Sequence, residues 1–397
     1  MNPAAGDGSA FVDASVSSEI SMPSDAPRPE APTPVQQTGE DPAANPPPPK
    51  RIAGVKFVGE HSMKFEQDGE LHRHSSSYFR GEHTNFYPKD RSLETKRFLT
   101  EYVVKGLTPP EPIFDKSSKL VAFGSCFAGH IANYLDERGY NVMTRGESTV
   151  YVAQMGDGIV NTHAIRQQFE WAWLGRQPQA EVWTGRDLKA LGFDEEIRLA
   201  TKAMFDEADA FIITLGLSEV WYDEPTGEVF WRAVPNRQYD PERHKFRVSG
   251  FEESLANLNA IVDLIHERRP NAHIIFTLSP IALTATFRPM ACMVADAESK
   301  AILRAALGQL MRDRTVDWLH YMPSYEIVQR CFNHPYYSDR THVHRHVIDF
   351  VMAVFERYYC SSDITDDELY ERFNYARYMD RRVGKKGHKS VPSPMLT

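Results

Sequence analysis

The sequence predicts an α/β fold: a three-layer α/β/α domain with a central parallel sheet. From Lys119 onward, short apolar runs of strand length alternate with longer segments of helical periodicity, the pattern of successive βαβ units. A glycine-bearing turn then leads directly from the first apolar run into the first helix. Finally, 42% apolar and 25% charged residues over 397 positions supply a sizeable core.

Along the chain, residues 1–50 are acidic and proline-dense, ending in Pro46-Pro47-Pro48-Pro49. They lack the apolar mass that would offset ordering entropy, so a disordered, extended tail is expected. Residues 51–116 read as an irregular lead-in that packs on the main domain. It has a strand-like piece at Ile52–Phe57 and polar loops, one of them holding His72 and His74.

The main domain is placed at 117–365. Its strands are expected at Lys119–Phe123, Phe211–Leu215, His273–Leu278 and Val316–His320. Helices are expected at Phe127–Arg138, Ile165–Leu174, Phe251–Arg268, Ala295–Arg312 and, last of all, Val343–Tyr359. In Phe251–Arg268 the apolar positions Leu255, Leu258, Ile261, Val262 and Ile265 follow helical spacing, and Arg269-Pro270 ends the run. Trp171 and Trp173 read as core or groove lining. The extension 366–397 carries Arg381, Arg382, Lys385, Lys386 and Lys389 and reads as a solvated terminus.

Composition excludes several functions. A net charge of −9 argues against nucleic-acid binding, which needs a basic face. No apolar run approaches the roughly 18–20 residues that span a bilayer. Cys126, Cys292, Cys331 and Cys360 form no CxxC pair, so reduced thiols in a cytoplasmic protein are expected. His342-Val343-His344-Arg345-His346 would align three imidazoles only on an extended strand, whereas this segment opens a helix. Gly156-Asp157-Gly158 is followed by no phosphate-loop lysine. No metal or cofactor is expected.

Two segments carry chemistry. Val121-Ala122-Phe123-Gly124-Ser125-Cys126-Phe127-Ala128 is a buried strand, a tight turn and a helix start, which sets a nucleophilic side chain at the strand's carboxyl end. The helix N-terminus beside it favours an anion. Ser338-Asp339-Arg340-Thr341-His342 lies after the last strand, and there Asp339 can orient His342 as a general base.

The run Gly124-Ser125-Cys126-Phe127-Ala128 resembles the signature of the GSCFA family, a branch of the SGNH-hydrolase superfamily. The likeness spans about residues 85–360 and takes in Thr214 to Trp221, Ser279-Pro280-Ile281 and Pro323 to Ile327. It implies a flavodoxin-like sheet and an ester hydrolase or acyltransferase that works through an acyl-enzyme, with a glycan acyl ester as first substrate. The superfamily's Gly-Asp-Ser turn falls on Gly124, Ser125 and Cys126. Either Cys126 is the nucleophile or the turn is shifted by one and Ser125 attacks; Cys126 is favoured, because a thiol beside a helix N-terminus and a histidine is readily activated. The resemblance further implies an oxyanion hole from Gly158 and from Ser218, which stands where relatives have asparagine, and a base pair of Asp339 and His342. The competing expectation is a catalytically inactive binding module for a saccharide or protein partner.

Overall fold

The computed structural model describes residues 85–386 except 147 and 157, together with the backbone of three short strands before them. The expected disordered tail, 1–50, and Lys389 lie outside the described residues.

The three short strands are β1 (Val55–Phe57), β2 (Ser62–Gln67) and β3 (Glu70–Ser75), an antiparallel meander in the order β1-β2-β3. His72 and His74 therefore lie on a strand, opposite Phe65 and Met63, and not in the expected loop. Between β2 and β3 the sequence has Asp68-Gly69, residue types that favour a hairpin turn. Helix α1 (Phe98–Tyr102) follows, and Phe98 and Leu99 enter the core.

The main domain runs through β4 (Leu120–Gly124), α2 (Cys126–Asp136), α3 (Tyr151–Gln154), α4 (Thr162–Leu174), α5 (Glu195–Glu207) and β5 (Ala210–Leu215). A hairpin of β6 (Glu219–Asp223) and β7 (His244–Val248) comes next, then α6 (Phe251–Arg268), β8 (His273–Leu278) and α7 (Cys292–Asp313). The chain closes with β9 (Leu319–Met322), α8 (Ser324–Cys331), α9 (Arg345–Tyr359) and α10 (Asp366–Lys386). The four strands β4-β5-β8-β9 pair in parallel in that order, the central parallel sheet that the alternation predicts.

Because strand side chains alternate between faces, the sheet feeds two cores. Val121, Phe123, Phe211, Ile213, Ile274 and Phe276 face the layer of α4, α5, α6 and α7. Ala122, Ala210, Ile212 and Ile275 face α2, α8, α9 and α10. Helices thus cover both faces, giving the three-layer α/β/α arrangement.

One expectation at the C-terminal end is corrected. Helix α9 begins at Arg345, behind His344 as N-cap, and it is not the last helix. Arg381, Arg382 and Lys385 are exposed, as expected of a solvated terminus, and they continue helix α10. Its Leu369, Phe373 and Ala376 are buried, with the Phe373 ring 4.9 Å from those of both Phe98 and Phe350. The buried Asp380 carboxylate accepts the Asn333 and His334 N–H groups.

Between β8 and β9, His273 Nδ1 and His320 Nε2 lie 3.2 Å apart. Burial, and then the neighbouring His273, pushes His320 down to about 4. The folded chain keeps this ring neutral through a range in which the unfolded chain, with an ordinary value near 6.5, takes up a proton. Acid therefore favours unfolding progressively from about pH 6.5 down to 4, by roughly 1–3 kcal/mol for this one ring. Melting temperatures measured across that range should fall less steeply for His320→Gln than for the unaltered chain. Parallel slopes would show that the ring does not titrate as described.

Candidate active site

The site grows from the end of β4. Gly124 sits at φ +136°, a conformation that side chains disfavour, and a Cβ there would overlap the Thr214 backbone of β5. The glycine lets the two strand ends close together: Gly124 N–H donates to Gly156 and Ser125 N–H to Thr214, at 2.8 and 3.0 Å.

Ser125 is the N-cap of α2. Its Oγ accepts the Phe127 N–H at 3.2 Å, and the residue is only 5% exposed. Cys126, the first residue of the helix, is half-buried and borders two hollows. The larger is a cleft of about 390 Å³ at the carboxyl ends of the strands, where ligands of open α/β sheets bind.

The cleft has an apolar wall in which Trp221 packs on Phe246 and Phe287 at 5.4 and 4.9 Å between ring centres. Its carboxylate, Glu219, accepts the Thr286 hydroxyl on both oxygens and lies 3.7 Å from Arg288. Lys300 donates to the Gly216 and Ile281 carbonyls, at 2.6 and 2.7 Å, tying the β5–β6 turn to the loop after β8. Burial pushes this ammonium down to about 8, against the opposing charge of Asp296. None of these groups was legible as functional in the sequence, because each depends on where distant loops meet.

The second hollow, about 300 Å³, is shared by Cys126 and His130, one turn later on α2. Burial lowers the His130 pKa, and the charge of Arg345 and then of His342 adds to the effect. His342 thus lies within electrostatic reach of the helix that starts at Cys126.

The turn bearing His342 is tightly built. Tyr336 bridges Val343, Tyr337 N–H donates to the His342 carbonyl, and Arg340 takes a left-handed φ of +57°. One Asp339 oxygen accepts the N–H groups of Thr341 and His342, each at 3.0 Å; the other lies 2.7 Å from His342 Nδ1. Burial would raise the Asp339 pKa, but the bonds from the Thr341 N–H and from His342 outweigh it and hold the carboxyl below its ordinary value. An ionised Asp339 assigns the proton to Nδ1 and leaves Nε2 as acceptor. The turn is tied to the cleft's edge through Tyr336, whose hydroxyl donates to the Pro280 carbonyl at 2.9 Å.

The structure thus brings Ser125, Cys126 and Gly158 to the cleft, and pairs Asp339 with His342 on the neighbouring turn; neither of the pair lines the cleft itself. The two groups expected as oxyanion donors both hold partners within the fold. Gly158 borders the cleft, but its N–H donates to the Met155 carbonyl at 2.8 Å. Ser218 is 1% exposed and turned away: its N–H and hydroxyl both donate to Ser299 Oγ. Trp171 and Trp173 belong to the core, with Trp171 stacked on Tyr151 at 5.6 Å and Trp173 on Phe169 at 5.5 Å.

His344 packs against Tyr337 and stacks on His346 at 5.2 Å, while His342 faces Asp339. Among the described residues, no group of three or more His, Cys, Asp or Glu is placed to hold a metal, and no helix is long and apolar enough to cross a membrane.

Comparison with known proteins adds one match. The model of the GSCFA family matches residues 119–355, a span that runs from the first strand of the parallel sheet into α9. No curated protein matches the chain.

Proposed function

The chain belongs to the GSCFA family, and from that premise we propose that it hydrolyses or transfers an ester-linked acyl group through a covalent acyl-enzyme on Cys126. The observation that carries this reading is the division of labour at the turn. Ser125 is buried and holds the helix cap, while Cys126 stands half-buried at the edge of the cleft.

In the proposed reaction His342 Nε2 takes the thiol proton and the sulfur attacks the ester carbonyl. The tetrahedral intermediate collapses by breaking the C–O bond to the alcohol, which leaves with the proton that His342 returns. The resulting thioester passes its acyl group to water or to a second hydroxyl, and the thiol is regenerated. Asp339 keeps His342 in the required tautomer and stabilises the imidazolium. A glycan acyl ester remains the first substrate class, since the Trp221, Phe246 and Phe287 wall offers an aromatic, apolar surface to a sugar ring. The reaction is placed in the cytoplasm, the location expected from the dispersed cysteines.

The partners already held by the Gly158 N–H and by Ser218 favour a second reading, a binding module that uses the cleft without turnover. Both are tested by incubating the full chain with p-nitrophenyl acetate and locating the adduct by mass spectrometry. An acetyl group on the peptide that contains Cys126, formed at the rate of the nitrophenolate burst, is the expected result. With no burst and no adduct at residue 125 or 126, the binding module is the correct description.

A further inference from the structure

Arg232 is the positive side chain that lines the cleft, in the loop that follows Trp231, and its guanidinium makes no hydrogen bond or ion pair with any described residue. Its Cζ lies 3.7 Å from the place where a Cβ on Gly158 would stand, and Gly158 is bridged to Ser125. The charge therefore stands beside the turn that presents Cys126. The cleft's carboxylate does not neutralise it, since Glu219 is engaged by Thr286 and faces Arg288.

A substrate that enters displaces part of the water around this exposed guanidinium. A neutral substrate offers the cation little in exchange for that water. A carboxylate or phosphate would instead meet the planar guanidinium fork with two parallel hydrogen bonds. The apolar wall of Trp221, Phe246 and Phe287 lowers the local dielectric and strengthens that pairing.

We infer that the cleft selects molecules bearing an anionic oxygen group, a carboxylate or a phosphate, on the same sugar-sized unit as the acyl linkage, and that Arg232 is the residue that reads it. The inference rests on the acyl-ester reading only for the nature of that linkage; the preference for an anion stands on the cleft itself.

The test uses binding, so that it does not depend on turnover. N-acetylglucosamine, its 6-phosphate and its 6-carboxylate (the corresponding uronic acid) carry an acyl amide that resists cleavage. Titrating each into the full chain, with calorimetry as readout, compares one neutral and two anionic probes. At least one anion is expected to bind more tightly than the neutral sugar, on the order of 10- to 100-fold. Which of the two tightens identifies the group that the site accepts. Arg232→Gln should erase the preference, and Arg232→Lys should keep part of it, because the charge remains while the fork is lost. Rising salt should narrow the gap.

Equal binding of the three probes, or no binding of any, would overturn the inference. So would a preference that survives in Arg232→Gln. Arg232 is exposed, so the variants should melt where the unaltered chain does. An anion preference in a chain that forms no acyl-enzyme would leave this inference standing and remove the ester reading alone.

Discussion

Cys126→Ala is expected to lower ester turnover on the order of 10³-fold or more, because it removes the atom on which the proposed covalent intermediate forms. Cys126→Ser should keep a trace of activity: a hydroxyl in the same place can serve the same proposed base but is harder to deprotonate. Ser125→Ala should lose far less. Its Oγ caps α2 through the Phe127 N–H, so the main cost is stability, about 1 kcal/mol for a lost N-cap. Iodoacetamide should inactivate the chain and alkylate Cys126 ahead of Cys331 and Cys360, whose buried thiols are pushed up in pKa. The reverse result is equally legible. If Ser125→Ala is dead while Cys126→Ala is active and insensitive to thiol reagents, the turn is shifted by one residue. The chain is then a serine esterase in which Cys126 only packs at the helix start.

His342→Gln should reduce turnover by roughly 10²- to 10⁴-fold, the range for loss of a general base. Asp339→Asn should approach it. The neutral amide cannot hold the proton on Nδ1 or stabilise the imidazolium, although its oxygen can still accept the Thr341 and His342 N–H groups. His344→Gln and His346→Gln carry the opposite expectation. Their rings pack on Tyr337 and on each other at the start of α9, and burial, then His344, pushes His346 down to about 4. Their loss should lower the melting temperature while turnover per folded molecule stays close to normal. Equal loss of turnover in all three histidine variants, with recovery on adding zinc, would falsify the assignment of His342 as a base and make the cluster a metal site.

What the sequence by itself determined is everything that depends on neighbours along the chain. The strands β4, β5 and β8 announce themselves as continuous apolar runs because both faces are buried. Gly124 marks the close approach at the strand end, since only glycine tolerates that backbone and that proximity. Asp339 and His342 are three residues apart, and a single turn brings them together without help from the rest of the fold. Amphipathic spacing likewise places Phe251–Arg268 as a helix with matching ends.

Tertiary structure alone decided what each of these groups faces. Ser218 reads in the sequence as a donor to the cleft, yet Ser299 of α7 captures it; Gly158 borders the cleft while Met155 takes its N–H. A hydrogen-bonding group has several competing partners, and folding, not spacing, chooses among them. Helix α10 carries its apolar residues thinly among charges, so its burial becomes visible only once α9 and Phe98 offer the surface it covers. The cleft itself joins β4, the β5–β6 turn, the β6–β7 hairpin and the loop after β8. Its aromatic wall and the charge of Arg232 come from segments far apart in sequence. No local pattern can encode that meeting, because the sheet's strand order, not the chain's, sets which loops become neighbours.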